Sequence, residues 1–247
     1  MPLADANMHP HARDTLPTCP SASHAARNST GTVGLTTADL PPLPDSIATD
    51  PAAAHLDIRA WFEHPGRPLE IEVGSGKGTF LVQQAQLQPE TNFLGMEYAM
   101  EFYAYAADRI RRNQLANVRI LGLDAAEFLH WRVPSGCARV VHLYFPDPWP
   151  KTKHHKRRML SDRFLTDVYR VLETGGELRV VTDHDDYWKW MESHFDRWCA
   201  ADHTPRFERL PFTRPSSAGE GELVGTNFER KYRREGRPFN AAILRKV

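Results

Sequence analysis

Only three of the 247 residues are cysteine, and Cys19, Cys137 and Cys199 stand too far apart for a CxxC metal site or a disulfide framework. They read as reduced thiols of a cytoplasmic protein with no metal centre. No apolar run approaches the roughly 18 residues that a membrane-spanning helix needs. The N-terminus lacks the apolar core of a secretory signal, so no membrane partner is expected. Net charge is missing too, 31 Lys and Arg balancing 31 Asp and Glu. The balance is uneven along the chain: residues 1–60 hold six acids and three bases, and the remaining bases gather in two clusters. Clustered base on a neutral body points to a local anion-binding face.

Aromatic residues are absent from the first 50 positions, which are rich in Pro, Ala, Ser, Thr and Asp. The run Leu40-Pro41-Pro42-Leu43-Pro44 can continue neither a helix nor a central strand. Such a segment buries too little apolar surface to offset its ordering entropy. Residues 1–55 are therefore expected to form a flexible tail, and residues 56–247 one domain.

From Trp61 onward the pattern changes. Residues 69–73, 92–97, 117–121, 140–145 and 177–182 read as strands, and 79–88, 99–113, 124–131 and 185–198 as helices. Leu160, Phe164, Val168 and Leu172 recur at four-residue steps, marking one more helix that Gly175-Gly176 ends. This alternation predicts an α/β, Rossmann-like fold, a mostly parallel sheet with helices on both faces. Ligands in such sheets bind at the carboxyl ends of the strands, near the switch in strand order. The residues just after each strand are the site candidates.

The first such loop is Glu72-Val73-Gly74-Ser75-Gly76-Lys77-Gly78. Glycines let the backbone approach a ligand and turn sharply into the helix. A dinucleotide fingerprint places its third Gly three residues after the second, whereas Gly78 follows Gly76 by two. The string E-x-G-x-G-x-G resembles instead the first motif of class I S-adenosylmethionine-dependent methyltransferases. Its acid suits a ligand with a cationic end and would repel a diphosphate. The next strand ends at Glu97, where an acid can accept both hydroxyls of a ribose. Asp124 follows the third strand, placed to accept the exocyclic amine of adenine. Each acid alone is better explained as a solvated cap or loop residue; three after successive strands describe one adenosyl-methionine-shaped site.

The fourth strand leads into Tyr144-Phe145-Pro146-Asp147-Pro148-Trp149-Pro150 and then Lys151-Thr152-Lys153-His154-His155-Lys156-Arg157-Arg158. Three prolines stiffen the loop. The eight residues after it hold five Lys or Arg, two His and no acid, a composition for phosphate binding. The string PDPWPKTKHHKRR, together with E-x-G-x-G-x-G and the C-terminal Thr226-Asn227-Phe228-Glu229 (T-x-[FY]-E), resembles the bacterial tRNA (guanine-N7-)-methyltransferase family. The resemblance runs from about Trp61 to the C-terminus.

That resemblance implies a class I methyltransferase domain, S-adenosyl-L-methionine as cofactor and tRNA as partner. The product would be 7-methylguanosine, at nucleotide 46 of the variable loop in the family, made by a monomer or homodimer. It assigns cofactor contacts to Glu72, Gly74, Gly76, Gly78, Glu97, Asp124 and Asp147, with Asp147 also catalytic. It assigns tRNA contacts to Lys151, Asp183, Thr226, Asn227, Phe228 and Glu229, and to the stretch Lys153, His154, His155, Lys156, Arg157 and Arg158. Lys153 stands where Arg is usual, which keeps the charge and loses the bidentate fork.

Guanine N7 carries a lone pair and no proton, so its methylation needs no general base. The enzyme's task is alignment, which can contribute ~7–11 kcal/mol at best, and stabilisation of the positive charge that arrives on the purine. A carboxylate can do the second and also accept the N1–H and N2–H donors of guanine. Asp147 and Asp183 are the alternatives. Trp149 either stacks on a base or packs under the Pro-rich loop. The competing readings are an RNA methyltransferase acting on an exocyclic amine, whose D/N-P-P-aromatic motif has a second Pro where Trp149 stands, and a non-catalytic RNA-binding protein on the same fold.

Overall fold

The computed structural model describes residues 33–200 and 206–247. Six strands run parallel: β1 (Gly34–Thr36), β2 (Leu69–Val73), β3 (Asn92–Glu97), β4 (Val118–Gly122), β5 (Ala138–Tyr144) and β6 (Leu172–Thr182). A hairpin-like pair, β7 (Phe207–Leu210) and β8 (Asn240–Lys246), adds to β6 in antiparallel sense. The sheet order is β1-β4-β3-β2-β5-β6-β8-β7. The helices are α1 (Thr79–Leu87), α2 (Met100–Arg112), α3 (Ala125–Arg132), α4 (Asp162–Val171), α5 (Asp185–Cys199) and α6 (Asn227–Arg234). The mostly parallel α/β sheet predicted above is therefore the fold that forms.

The two-residue period of a strand sends alternate side chains to opposite faces. Phe93 packs with Leu81, Val82 and Ala85 of α1 and with Ala106 and Ile110 of α2. Its neighbours Leu94 and Met96 join the larger core beneath α3, α4 and α5. Both faces of β3 are thus covered, which is why its sequence reads as a nearly continuous apolar run. Phe164, Leu165, Val168 and Val171 form the buried stripe of α4; each such side chain contributes roughly 1.5–3 kcal/mol on full burial. Among the described residues no helix is long and apolar enough to cross a membrane.

Two expectations change. The four-residue step predicts that Leu172 closes a helix, but it pairs with Ala138 as the first residue of β6. The next pairing is Val140 with Glu177, so residues 173–176 bulge out, with Gly175 at φ +77°. The flexible tail expected over residues 1–55 does not hold over 33–55. Gly34–Thr36 pairs with β4 as a parallel edge strand, and Leu35 is buried. Arg132 Nη2 donates to the Pro41 carbonyl at 2.6 Å, and the Arg132 carbonyl accepts from Leu56 N–H at 2.8 Å. A proline-rich strap has little backbone freedom to lose, so a few anchors suffice to order it. Residues 1–32 lie outside the described residues.

Strand order reverses between β2 and β5. The carboxyl ends of β2 to β6 carry the glycine loop, Tyr98, Asp124, the 145–149 loop and Asp183 to one edge of the sheet.

Candidate active site

The glycine loop folds back over β3: the Met96 carbonyl accepts from Gly74 N–H at 2.9 Å and Ser75 N–H at 3.0 Å. Gly76, at φ +53°, donates its N–H to Glu97 Oε2 at 2.7 Å, and Glu97 Oε1 accepts from Ala99 N–H at 2.8 Å. Asp124 caps α3, its Oδ1 accepting from Ala126 N–H at 2.9 Å and Glu127 N–H at 3.2 Å. Capping is one of the two roles its position allows, and the same side chain also lines a cavity.

Two cavities open along this edge and share Gly74, Gly76, Phe102, Tyr144, Phe145 and Phe228. The smaller, about 270 Å³, is lined by Glu72, Ser75, Lys77, Thr79, Asn227 and Lys231 among others. The larger, about 460 Å³, is lined by Glu97, Asp124, Asp147, Trp149 and Arg157. Glu72, Glu97, Asp124 and Asp147 thus share one cleft across the tips of β2 to β5.

Glu72 is 4% exposed, and its Oε2 has no hydrogen-bond partner. Burial pushes its carboxyl up to about 8; the Ser75 hydroxyl opposes that rise and the Glu97 charge adds to it. A buried acceptor left unmade costs about 1–3 kcal/mol, a deficit that a cationic group in the smaller cavity would offset. This set of carboxylate acceptors fits a ligand carrying an ammonium at one end and an adenosine at the other.

The wall behind Glu72 is a buried polar chain that the sequence does not announce. Tyr144 Oη lies 2.8 Å from His142 Nδ1, His142 Nε2 lies 2.9 Å from Glu70 Oε2, and Arg139 Nη2 donates to Glu70 Oε1 at 2.5 Å. Burial opposes ionisation of Glu70, yet the hydrogen bonds from His142 and Arg139 and the charge of Arg139 bring it below the usual carboxylate range. Burial lowers His142. An ionised Glu70 beside a neutral imidazole makes Nε2–H the donor to Glu70 and leaves Nδ1 to accept from the Tyr144 hydroxyl. The Tyr144 ring is thereby held in the cleft wall.

Asp147 is exposed at the larger cavity, between Phe145 at φ +52° and Trp149 at φ +43°. Asp183 lines neither cavity; it accepts from Arg237 Nη1 at 2.7 Å and ties down the segment after α6. Gly78 also lines neither cavity. It begins α1 at φ +66°, and a Cβ there would lie 3.0 Å from Ala106 Cβ, so its smallness serves the packing of α1 on α2.

The basic stretch is divided by its geometry. Lys151, Lys153 and Lys156 are exposed, and Arg157 stacks over Trp149 at 5.0 Å with His154 edge-on to the same ring. Arg158 is buried: Nε donates to the Pro148 carbonyl at 2.9 Å, Nη2 pairs with Asp186, and the guanidinium lies over Tyr187 and Trp190. His155 turns toward the same cluster, edge-on to Trp190. The expectation that Arg158 meets phosphate is corrected, since its side chain is buried and held inside the protein by the Pro148 carbonyl and Asp186.

The Thr226–Glu229 motif divides in the same way. Thr226 caps α6, its Oγ1 accepting from Glu229 N–H at 3.1 Å. Asn227 Nδ2 donates to Thr79 Oγ1 at 2.9 Å, and the half-exposed Phe228 lies over Gly76. Glu229 is fully buried and accepts from the N–H groups of Leu223, Val224 and Gly225 and from Arg233. It builds the loop before α6, and its assignment to RNA contact is corrected. Cavity-lining residues not among the sequence candidates are Tyr144, Phe102, Lys77 and Lys231; Lys77, inside the glycine loop, and Tyr144, at the end of β5, had a positional signal. Among the described residues no three His, Cys, Asp or Glu side chains gather as a metal-holding group.

A family model described as "Putative methyltransferase" matches residues 66–242. The chain is 37% identical over 198 residues to a tRNA (guanine-N(7)-)-methyltransferase of Rhodopseudomonas palustris, covering 80% of this chain and 76% of that one. It is 38% identical over 201 residues to the protein of the same name from Bradyrhizobium diazoefficiens, covering 77% and 82%. Among solved structures it resembles the aminoglycoside resistance methyltransferase NpmB1, with a TM-score of 0.51 at 19% identity over 84% of this chain and 95% of that one; at that identity the likeness concerns the fold alone. With the cleft, the family match and these sequence relatives in agreement, the chain belongs to the tRNA (guanine-N(7)-)-methyltransferase family.

Proposed function

We propose that this protein transfers a methyl group from S-adenosyl-L-methionine to N7 of a guanine in tRNA, at nucleotide 46 by likeness to its family, in the cytoplasm. The observation that carries this reading is the unpartnered buried oxygen of Glu72 in a cleft shared with Glu97, Asp124 and Asp147. Glu72 would hold the ammonium end of the cofactor, Glu97 the ribose and Asp124 the adenine amine. When bound, the cofactor supplies a methyl group activated by a sulfonium.

Asp147 is the carboxylate available to the purine, because Asp183 is engaged by Arg237 outside the cleft. Asp147 accepts the N1–H and N2–H donors of guanine and stabilises the charge that develops on the ring. The bare N1 of adenine offers no donor there, so adenine is rejected. The exposed Lys151, Lys153 and Lys156 beside the cleft supply the sequence-independent attraction to phosphate.

Incubation with labelled S-adenosylmethionine and unmodified tRNA tests the reading. Label that co-elutes with 7-methylguanosine, with chain scission at that base by borohydride and aniline, is expected. Label on an exocyclic amine, without scission, would move the protein to the competing class. Absence of label would leave an RNA-binding protein on the same fold.

A further inference from the structure

The geometry points to Trp149 as the stacking platform for the target base, with Arg157 occupying its ring as a stand-in cation until that base arrives. This inference rests on the methyl-transfer reading above. Trp149 lines the larger cavity together with Asp147, Glu97 and Asp124. Its φ of +43° is a conformation that bulky L residues seldom adopt. Strain of this kind persists where the surroundings force a side chain into a working position. Trp149 is only half-buried, so part of its surface stays open to the cavity it lines.

A cation already sits on that ring. The Arg157 guanidinium lies 5.0 Å from the Trp149 centroid, and His154 meets the ring edge-on at 5.9 Å. Arg157 is exposed, lines the same cavity and has no carboxylate partner among the described residues. Guanidinium and N7-alkylated guanine are alike in being planar, delocalised cations, the class of group that an indole face attracts best.

The charge moves during the reaction. The N7 lone pair forms the bond to the methyl carbon, the carbon–sulfur electron pair stays on sulfur, and no proton is transferred. The positive charge that began on sulfur ends on the purine. An indole stacked on that purine gains attraction as the charge arrives, so the interaction is stronger in the transition state than in the ground state and raises turnover. Asp147 along the purine edge and Trp149 over its face together select a base with N–H donors and a ring able to take the charge. Arg157 cannot remain beside the new cation. Its place in the basic stretch gives it RNA phosphate to move to, so base entry and phosphate capture exchange one partner for another.

The test uses the full-length protein and its Trp149→Leu and Trp149→Phe variants. Two quantities are read: kcat at saturating tRNA, and the ratio of Kd values for unmodified and 7-methylguanine-containing tRNA with S-adenosylhomocysteine present. Wild type is expected to bind the methylated tRNA about fivefold more tightly, and Trp149→Leu to lose that preference and about tenfold in kcat, with Trp149→Phe between. The ratio is internal to each variant, so a loss of folded protein, which weakens both affinities alike, does not move it. Wild-type kcat and an unchanged ratio in Trp149→Leu would overturn the inference while leaving the reaction intact. A wild-type protein that puts no 7-methylguanine into tRNA would remove both.

Discussion

Glu97 Oε2 accepts the Gly76 N–H at 2.7 Å, so the acid ending β3 fastens the glycine loop that follows β2. One carboxylate thus shapes the loop and faces the larger cavity. Glu97→Ala removes both functions, whereas Glu97→Gln keeps a carbonyl acceptor for Gly76 and loses the charge and one acceptor. Calorimetric titration with S-adenosylhomocysteine should show affinity reduced about 100-fold in Glu97→Ala and about tenfold in Glu97→Gln, as expected for losing two charge-assisted hydrogen bonds against one. Equal losses in the two variants would mean that the loop is held by other contacts.

Glu72 makes ligand binding depend on pH in a direction fixed by its burial. Its carboxyl sits at about 8 in the folded protein against an ordinary value of 4.5. The native state therefore binds more protons than the unfolded chain between those values. Its contribution lowers stability as pH rises through that window, by up to about 1.4 kcal/mol per pH unit. A cationic ligand favours the ionised form, so binding at neutral pH should release close to one proton. Affinity for S-adenosylhomocysteine should climb with pH and level off above about 8. Titrations in buffers of different ionisation enthalpy measure that release directly. Glu72→Gln should bind weakly with no proton release, and an unchanged release would place the titrating group elsewhere.

The acids of the cleft were legible because strands covered on both faces read as apolar runs, against which Glu72, Glu97 and Asp124 stand out at or just beyond the ends. What a side chain does after it leaves the backbone was not legible. Arg158 and Lys156 look alike in the string of bases, yet one turns inward to Pro148 and Asp186 and the other stays in solvent. Glu229 reads as one letter of a motif, and only the approach of three backbone N–H groups shows that it builds a loop. The strap over residues 33–55 escaped because its anchors are long-range: Leu35 against β4, and Arg132 reaching back to Pro41. β7 and β8 escaped for a different reason, since each is short in apolar residues: Glu208 and Arg209 separate Phe207 from Leu210, and Arg245 and Lys246 follow the four apolar residues of β8.

Asp147 and Asp183 are separable by a pair of isosteric changes. Asp147 faces the cleft, and Asp183 is held by Arg237. Asp147→Asn should lower kcat by roughly 100-fold, the usual loss when one preorganised electrostatic partner of a transition state is removed, with KM for tRNA and thermal stability nearly unchanged. Asp183→Asn should keep kcat within about twofold and cost about 1 kcal/mol or less, because Arg237 is half-exposed and such pairs are worth little. Steady-state kinetics and thermal melts on both variants decide it; a large kcat loss in Asp183→Asn alone would transfer the guanine-reading role to that residue.

The basic stretch should behave as two groups under changing salt. Lys151, Lys153 and Lys156 point into solvent beside the cleft. Each that meets a phosphate on single-stranded RNA contributes roughly 0.7 to the slope of log affinity against log salt. Replacing all three by Gln should therefore flatten the slope by about 2 and leave affinity for S-adenosylhomocysteine unchanged. Arg158→Gln should instead preserve the slope of the folded fraction and lower the melting temperature. It strips the Pro148 carbonyl and Asp186 of a donor and empties the space between Tyr187 and Trp190, a loss of about 2–3 kcal/mol for a buried charge-assisted contact. Filter binding of tRNA across a salt series, with thermal melts in parallel, measures both. A slope that falls in Arg158→Gln and stays constant in the triple Lys variant would reverse the two roles.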